Sequence, residues 1–267
     1  MNDSALSLLE YNLGAGIRAF STTRHGGCGK GNYDSLNITH YCNDDPENVK
    51  KNRALLCAEL SVTDEHLILP RQTHGIRHLS INSAFFKKNA TEKSEALDSI
   101  DALMTNMPGV CIGISTADCI PILLYDKDRQ AIAAIHAGWR GTVAKITESV
   151  INAMTHEYGT EPDKLTAVIG PGISESAFEV GDEVYAQFSQ AGFPMQDIAR
   201  KHPAADGEKW HIDLWAANYL TLERCGLEVP NIQVCGICTY TEYHQFFSAR
   251  RLGIDSGRIF TGIMLTQ

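Results

Sequence analysis

Residues 110–141, VCIGISTADCIPILLYDKDRQAIAAIHAGWRG, carry three apolar runs separated by short polar breaks. Short apolar runs bounded by turn residues predict strands. Cys119 falls in the first break and His136 near the end of the third run, just before a Gly-Trp-Arg-Gly turn. A thiol and an imidazole at the edges of apolar strands mark a place for chemistry. The plainer readings are a small buried hydrophobe and a hydrogen-bonded core histidine. Helical spacing takes over in residues 142–158, where Val143, Ile146, Val150, Ile151 and Met154 form one apolar stripe, read as core.

The same reading extends along the chain. Residues 16–23 alternate as a strand and deliver Arg24 into a glycine-rich loop. Asp45 and Pro46 suit the N-cap and first position of a helix running to about Leu60, with Lys50, Lys51 and Arg53 on its solvated face. In HLILPRQTHG a short strand ends at Gln72, Thr73 and His74, where side chains leave the core, so His74 is a candidate ligand. Residues 85–99 read as a polar surface excursion. Leu165–Ile169 is a strand, Asp213 caps a helix to about Arg224, and residues 232–237 and 258–265 are strands. Strands alternating irregularly with helices, several joined by hairpin-like turns, point to mixed sheets and an α+β class. No repeat or boundary divides residues 1–267, which read as one domain.

At 267 residues and 43% hydrophobic content the chain can bury a substantial core. Its acidic start and lack of a long apolar run support neither a signal peptide nor a membrane span, so the cytoplasm is expected. Eight cysteines then read as reduced thiols, metal ligands or nucleophiles rather than a disulfide framework. A net charge of −9 argues against nucleic acid or an anionic membrane as the main partner. The loop HGGCGKGNY fits neither the dinucleotide fingerprint nor the nucleotide phosphate loop, leaving a weak phosphate cradle or a hairpin loop. Cys235 and Cys238 form one Cys-x-x-Cys pair without a second, a weak zinc signal for which strand thiols are the plainer reading.

The motifs FSTTR (20–24), GG (26–27), SLN (35–37), QTHG (72–75), TADC (116–119), HAGWRG (136–141), GP (170–171), CT (238–239) and FFSARR (246–251) stand in an order that closely resembles the bacterial laccase-domain family. Its members have been described as polyphenol oxidases, as zinc-dependent purine nucleoside phosphorylases with adenosine deaminase activity, and as peptidoglycan-precursor editing factors. The resemblance implies a single α+β domain, a layered α/β/β/α sandwich with helices outside two mixed sheets. It also implies a metal held by His74, Cys119 and His136. Two departures, Cys28-Gly29 for a frequent Val-Ser and Cys42-Asn43-Asp44 for a usual Val-Gly-Asp, leave those three positions untouched.

Two histidines and a thiolate with an open fourth position suit catalytic zinc, which makes a bound water more acidic. The same set occurs in blue copper centres, so Cu2+ is possible beside Zn2+. A multicopper oxidase needs further clustered histidines, usually as His-x-His pairs, and none of the ten histidines forms one. Oxidase chemistry therefore ranks below phosphorolysis of adenosine, inosine or methylthioadenosine. That reaction calls for cations around phosphate and a donor that relieves charge on the departing purine. Arg24 and Asp118 are expected at the catalytic centre, with Asn37, Arg140, Arg250 and Arg251 binding substrate. The free amides of Gly141, Thr142 and Val143, at a helix starting near Thr142, are the expected phosphate seat beside Arg140. The competing enzyme is a cysteine-dependent amide hydrolase or editing factor in which His136 activates Cys119, and a metal-stabilised binding module is the non-enzymatic reading. Oligomeric state is not legible.

Overall fold

A computed structural model of the chain describes residues 6–205 and 207–266. Its strands are β1 (Leu8–Tyr11), β2 (Ile17–Thr22), β3 (Leu67–Ile68), β4 (His78–Ser80), β5 (Ala102–Thr105), β6 (Cys111–Thr116), β7 (Ile120–Asp126), β8 (Ala131–Ala137), β9 (Leu165–Ile169), β10 (Glu179–Val180), β11 (Ala199–Ala204), β12 (Gly207–Ile212), β13 (Ile232–Val234) and β14 (Ile259–Leu265). The helices are α1 (Pro46–Leu60), α2 (Ser83–Phe86), α3 (Ala90–Ala96), α4 (Trp139–Val143), α5 (Ile146–Tyr158), α6 (Asp182–Gln190), α7 (Met195–Ile198), α8 (Leu214–Arg224) and α9 (Ala249–Leu252). One mixed sheet runs β1-β2-β14-β6-β3 and a second runs β13-β9-β7-β8-β5-β4, with a small antiparallel sheet β10-β12-β11 beside them.

The three central apolar strands are buried along their whole length because both of their faces are covered. Side chains alternate across a strand, and here each parity feeds a different core. Ile122 and Leu124 of β7, with Ala133 and Ile135 of β8, pack outward against Val150 and Met154 of α5 and Leu222 of α8. Leu123, Tyr125, Ile132 and Ala134 pack inward against Ile112, Ile114 and Ile263 of the facing sheet. On that sheet's far side, Leu56 and Leu60 of α1 cover Phe20, Cys111 and Phe260. The layers are therefore helix, sheet, sheet, helix, as the α+β expectation had it. Each fully buried Leu, Ile or Val contributes about 1.5–3 kcal/mol, so the two faces of β7 and β8 anchor the sandwich.

Several boundaries move. The turn holding Cys119 is no hairpin, because β6 and β7 lie in different sheets and the turn carries the chain between them. Helix formation starts at Trp139, not Thr142, and breaks at Lys145, whose φ of 63° ends α4 before α5 resumes the core stripe. The strand after His66 shrinks to Leu67 and Ile68, and that at 232–237 stops at Val234. Residues 85–99 form parts of α2 and α3, with Phe85 buried under the inter-sheet core. The sequence reading did not separate β10, β11 and β12 from their loops. Asp45 and Asp213 cap their helices as expected, accepting the amides of Glu47 and Ala216 at 2.9 Å.

Candidate metal centre

Strand parity places the centre. Residues 132 and 134 of β8 face the other sheet, so His136 does too, at the open end of the sandwich. Thr116 continues the inward parity of Ile112 and Ile114 to the same end. Asp101, just before β5, precedes inward-facing Leu103 by two residues and is wholly buried. The β6–β7 crossover brings Cys119 to this mouth, and the loop after β3 brings His74, held with φ at 64°.

The donor atoms of His74, Cys119 and His136 lie within 4.8 Å of one another. Asp101 organises all of it: Oδ1 accepts His136 Nδ1–H and the His74 amide, both at 2.8 Å, while Oδ2 accepts the amides of Gly75 at 2.8 Å and Thr73 at 3.3 Å. A carboxylate on Nδ1 directs Nε2 of His136 to Cys119 or, once its proton is displaced, to a metal, the usual support of a metal-bound imidazole. A Cβ on Gly138 would stand 3.0 Å from Cys119 Sγ, 3.1 Å from His74 Cδ2 and 3.6 Å from His136 Nε2. The glycine thus leaves room for the donors to converge.

Electrostatics favour the charged ligand. Burial pushes the Cys119 thiol up, but the neighbouring His136 and His74 outweigh it and bring it down to about 6. Burial pushes His136 down, and Cys119 and Asp101 outweigh that, raising it to about 9. Asp101 is likewise held below the usual carboxylate range, its burial outweighed by His136 and the loop amides. Two nitrogens and a thiolate with open space beside them fit a divalent transition ion.

Beside the triad lies a cavity of about 280 Å³, lined among others by Tyr41, Asn43, Gln72, Thr116, Asp255 and Arg258. Small-molecule sites run upward from about 300 Å³, so this one suits a compact metabolite rather than a macromolecule. Gln72 bridges its wall, accepting from Tyr41 Oη and the Ser115 amide while donating to the Ser115 carbonyl. Thr116 Oγ1 is buried without a partner among the described residues.

The other expected site residues do not converge there. Asp118 is spent on structure: Oδ1 accepts Thr239 Oγ1–H and Oδ2 the Arg250 amide, each at 2.7 Å. Asn37 is fully buried, donating to Asp44 Oδ2 and accepting the Thr39 and Arg258 amides, and does not line the cavity. Arg24 donates to the carbonyls of Asp34 and Tyr243 and packs over Phe247. Arg140 stacks on Trp139, Arg251 on Tyr240 and Tyr243, and Arg250 faces the carbonyls of Ala177 and Glu179. None of these arginines lines the cavity, whereas Arg258 does. At the helix start the Thr142 amide already donates to Gly138 O at 2.8 Å, which removes it from the expected phosphate seat. The glycine-rich loop is packed against its own chain: a Cβ on Gly27 would meet Ser35 O at 2.3 Å, and the Cys28 amide donates to Asn52 Oδ1. Cys238 Sγ accepts from the amide and hydroxyl of Ser174, and neither it nor Cys235 joins a metal-ligand cluster among the described residues. Asp101 and Arg258 were missed; a lone aspartate opening an apolar strand, and an arginine at the start of the closing one, were the available signals.

The model of the family described as multi-copper polyphenol oxidoreductase laccase matches residues 18–266. A purine nucleoside phosphorylase of Bacteroides thetaiotaomicron is 48% identical over 250 residues, covering 93% of this chain and 92% of its own. An adenosine deaminase from an unknown prokaryotic organism is 43% identical over 248 residues, covering 93% of this chain and 94% of its own. The crystal structure of YlmD from Geobacillus stearothermophilus superposes with a TM-score of 0.87 at 29% identity, over 96% of this chain and 94% of that one. The chain belongs to the multi-copper polyphenol oxidoreductase laccase family.

Proposed function

We propose that this chain is a cytoplasmic, zinc-dependent purine nucleoside phosphorylase acting on adenosine, inosine and methylthioadenosine, with adenosine deaminase activity at the same centre. The observation that carries the reading is the His74–Cys119–His136 triad, braced by Asp101, at the edge of a cavity of about 280 Å³. The names of the two similar enzymes point the same way. Zinc bound there would act as a Lewis acid and make water a nucleophile near neutral pH. Zinc is preferred to copper because, among the described residues, no third imidazole joins the triad as an oxidase cluster would require.

The chain's own groups do the rest. Asp101 fixes the tautomer and orientation of His136. Arg258, the one Arg or Lys among the described residues lining the cavity, is the cation for phosphate. Its guanidinium is held in place by the carbonyls of Ile254, Ser256 and Gly257. Thr116 Oγ1 gains from substrate the partner it lacks, since a buried hydroxyl without one costs about 1–3 kcal/mol. The amide-hydrolase reading needs only Cys119 and His136; His74, a third donor converging on them, favours the metal instead.

Zinc-loaded protein given adenosine and phosphate should release adenine and ribose 1-phosphate, and chelation should abolish this together with inosine formation. No phosphorolysis from fully loaded protein would sink the proposal. Replacing His74, Cys119 or His136 by Ala should remove metal and turnover together, leaving the fold intact because the core does not depend on the ion. Cys119→Ala that kept its metal but lost turnover would favour the thiol enzyme.

A further inference from the structure

A separate set of donors lies in the small sheet. His202 on β11 and His211 on β12 are diagonal neighbours: Arg200 pairs with His211 and His202 with Lys209, so both imidazoles project from one face. Glu175 reaches the same point from the turn before β10. The donor atoms of the three residues lie within 4.8 Å of one another. Glu175 Oε1 is 2.7 Å from His202 Nε2, and the two rings stand 4.4 Å apart.

The hydrogen bond between Glu175 and His202 does not account for His211. Its Nδ1 lies 3.0 Å from the carbonyl oxygen of Glu175. A carbonyl only accepts, so Nδ1 carries a proton and Nε2 is the ring nitrogen left to ligate. The residue is 8% exposed, and its ring's hydrogen bond among the described residues is the one through Nδ1. Two nearby cations are directed elsewhere: Arg200 donates to the carbonyls of Gln196 and Ala199, and Lys201 lies over Trp210. His202 and Glu175 are partly exposed, at 37% and 24%, which leaves an ion a way in.

We propose that Glu175, His202 and His211 form a second metal site for a divalent transition ion of the zinc class. Two imidazoles and a carboxylate are a known zinc set, and the backbone carbonyl on Nδ1 is the outer support expected of a ligating histidine. The ion replaces the proton shared by Glu175 and His202 and takes His211 Nε2. It fastens the small sheet to the turn at 172–177, whose Ile173 amide donates to the Asp118 carbonyl at 2.8 Å, directly before Cys119. The second ion is thus a staple behind the turn that presents the triad's thiolate. This inference does not depend on which reaction the triad performs.

Cobalt titration of the intact protein is the direct test and needs no variant. About two equivalents should bind, one with thiolate-to-cobalt charge transfer and one with only d–d bands. Cys119→Ala/His136→Ala should keep the second signal alone, and Glu175→Gln/His211→Asn should keep the first alone. Circular dichroism of each variant matching the parent excludes misfolding. One equivalent in the intact protein, or a second signal untouched by Glu175→Gln/His211→Asn, overturns the proposal.

Discussion

Asp101 Oδ1 stands 2.8 Å from His136 Nδ1 and accepts the His74 amide at the same distance, so one buried oxygen sets two of the three ligands. Asp101→Asn keeps the volume but removes the negative charge that polarises His136 and gathers the amides of Thr73, His74 and Gly75. Zinc affinity, measured by competition with a chelator of known strength, should fall about 10–100-fold, with activity falling at limiting metal and recovering in excess. Unchanged affinity would show that the carboxylate only satisfies the loop.

Gly138 has φ −65° and ψ 166°, which suit any residue, so Gly138→Ala tests space rather than backbone strain. The new methyl group would press on Cys119 Sγ and His74 Cδ2. Metal affinity should drop at least several-fold, while the metal-free protein melts within a few degrees of its parent. A variant that binds zinc as tightly as the parent would mean that the three donors converge farther from Gly138 than this geometry has them.

The strands, α1 and α8 were legible because their signals are local: an apolar run, an N-cap, a stripe. The triad was legible only through resemblance, since nothing local says that three residues spread over 63 positions meet. The arginines carry a different kind of signal. A motif arginine in an acidic chain suggests anion binding, yet Arg24, Arg250 and Arg251 engage backbone carbonyls or aromatic rings, and such partners leave no mark in the sequence. Asp118 is similar, because it adjoins the candidate ligand Cys119 while its own carboxylate reaches Thr239 and Arg250.

In metal-free protein Cys119 should behave as a thiolate held by His136. With the thiol brought down to about 6 and His136 raised to about 9, the charged pair exists between those values and is lost when the thiol is protonated below the lower one. Alkylation by iodoacetamide should therefore be half-maximal near pH 6, against about 8.5 for an unperturbed cysteine. Zinc should protect Cys119. Cys111, buried and pushed upward by burial, should stay unreactive in the folded state. A Cys119 rate rising only above pH 8 would mean that the pair is neutral.

The phosphate site separates two arginines. Arg140 is exposed, stacked on Trp139 and absent from the cavity wall, so Arg140→Ala should leave the phosphate KM within about twofold. Arg258 lines the wall, and Arg258→Gln should raise that KM about tenfold or more, the loss of roughly 1.4 kcal/mol expected when a charge-assisted contact goes. Because Arg258 also holds three carbonyls of its own loop, charge and scaffolding must be told apart. Arg258→Lys keeps the charge and gives up the fork. Recovery of the phosphate KM in Lys but not Gln assigns the effect to charge, and deamination of adenosine, which uses no phosphate, should change less in both. Equal loss of both activities in Gln and Lys would make Arg258 a scaffold and move the phosphate elsewhere, as would a phosphate KM that Arg140→Ala raised and Arg258→Gln did not.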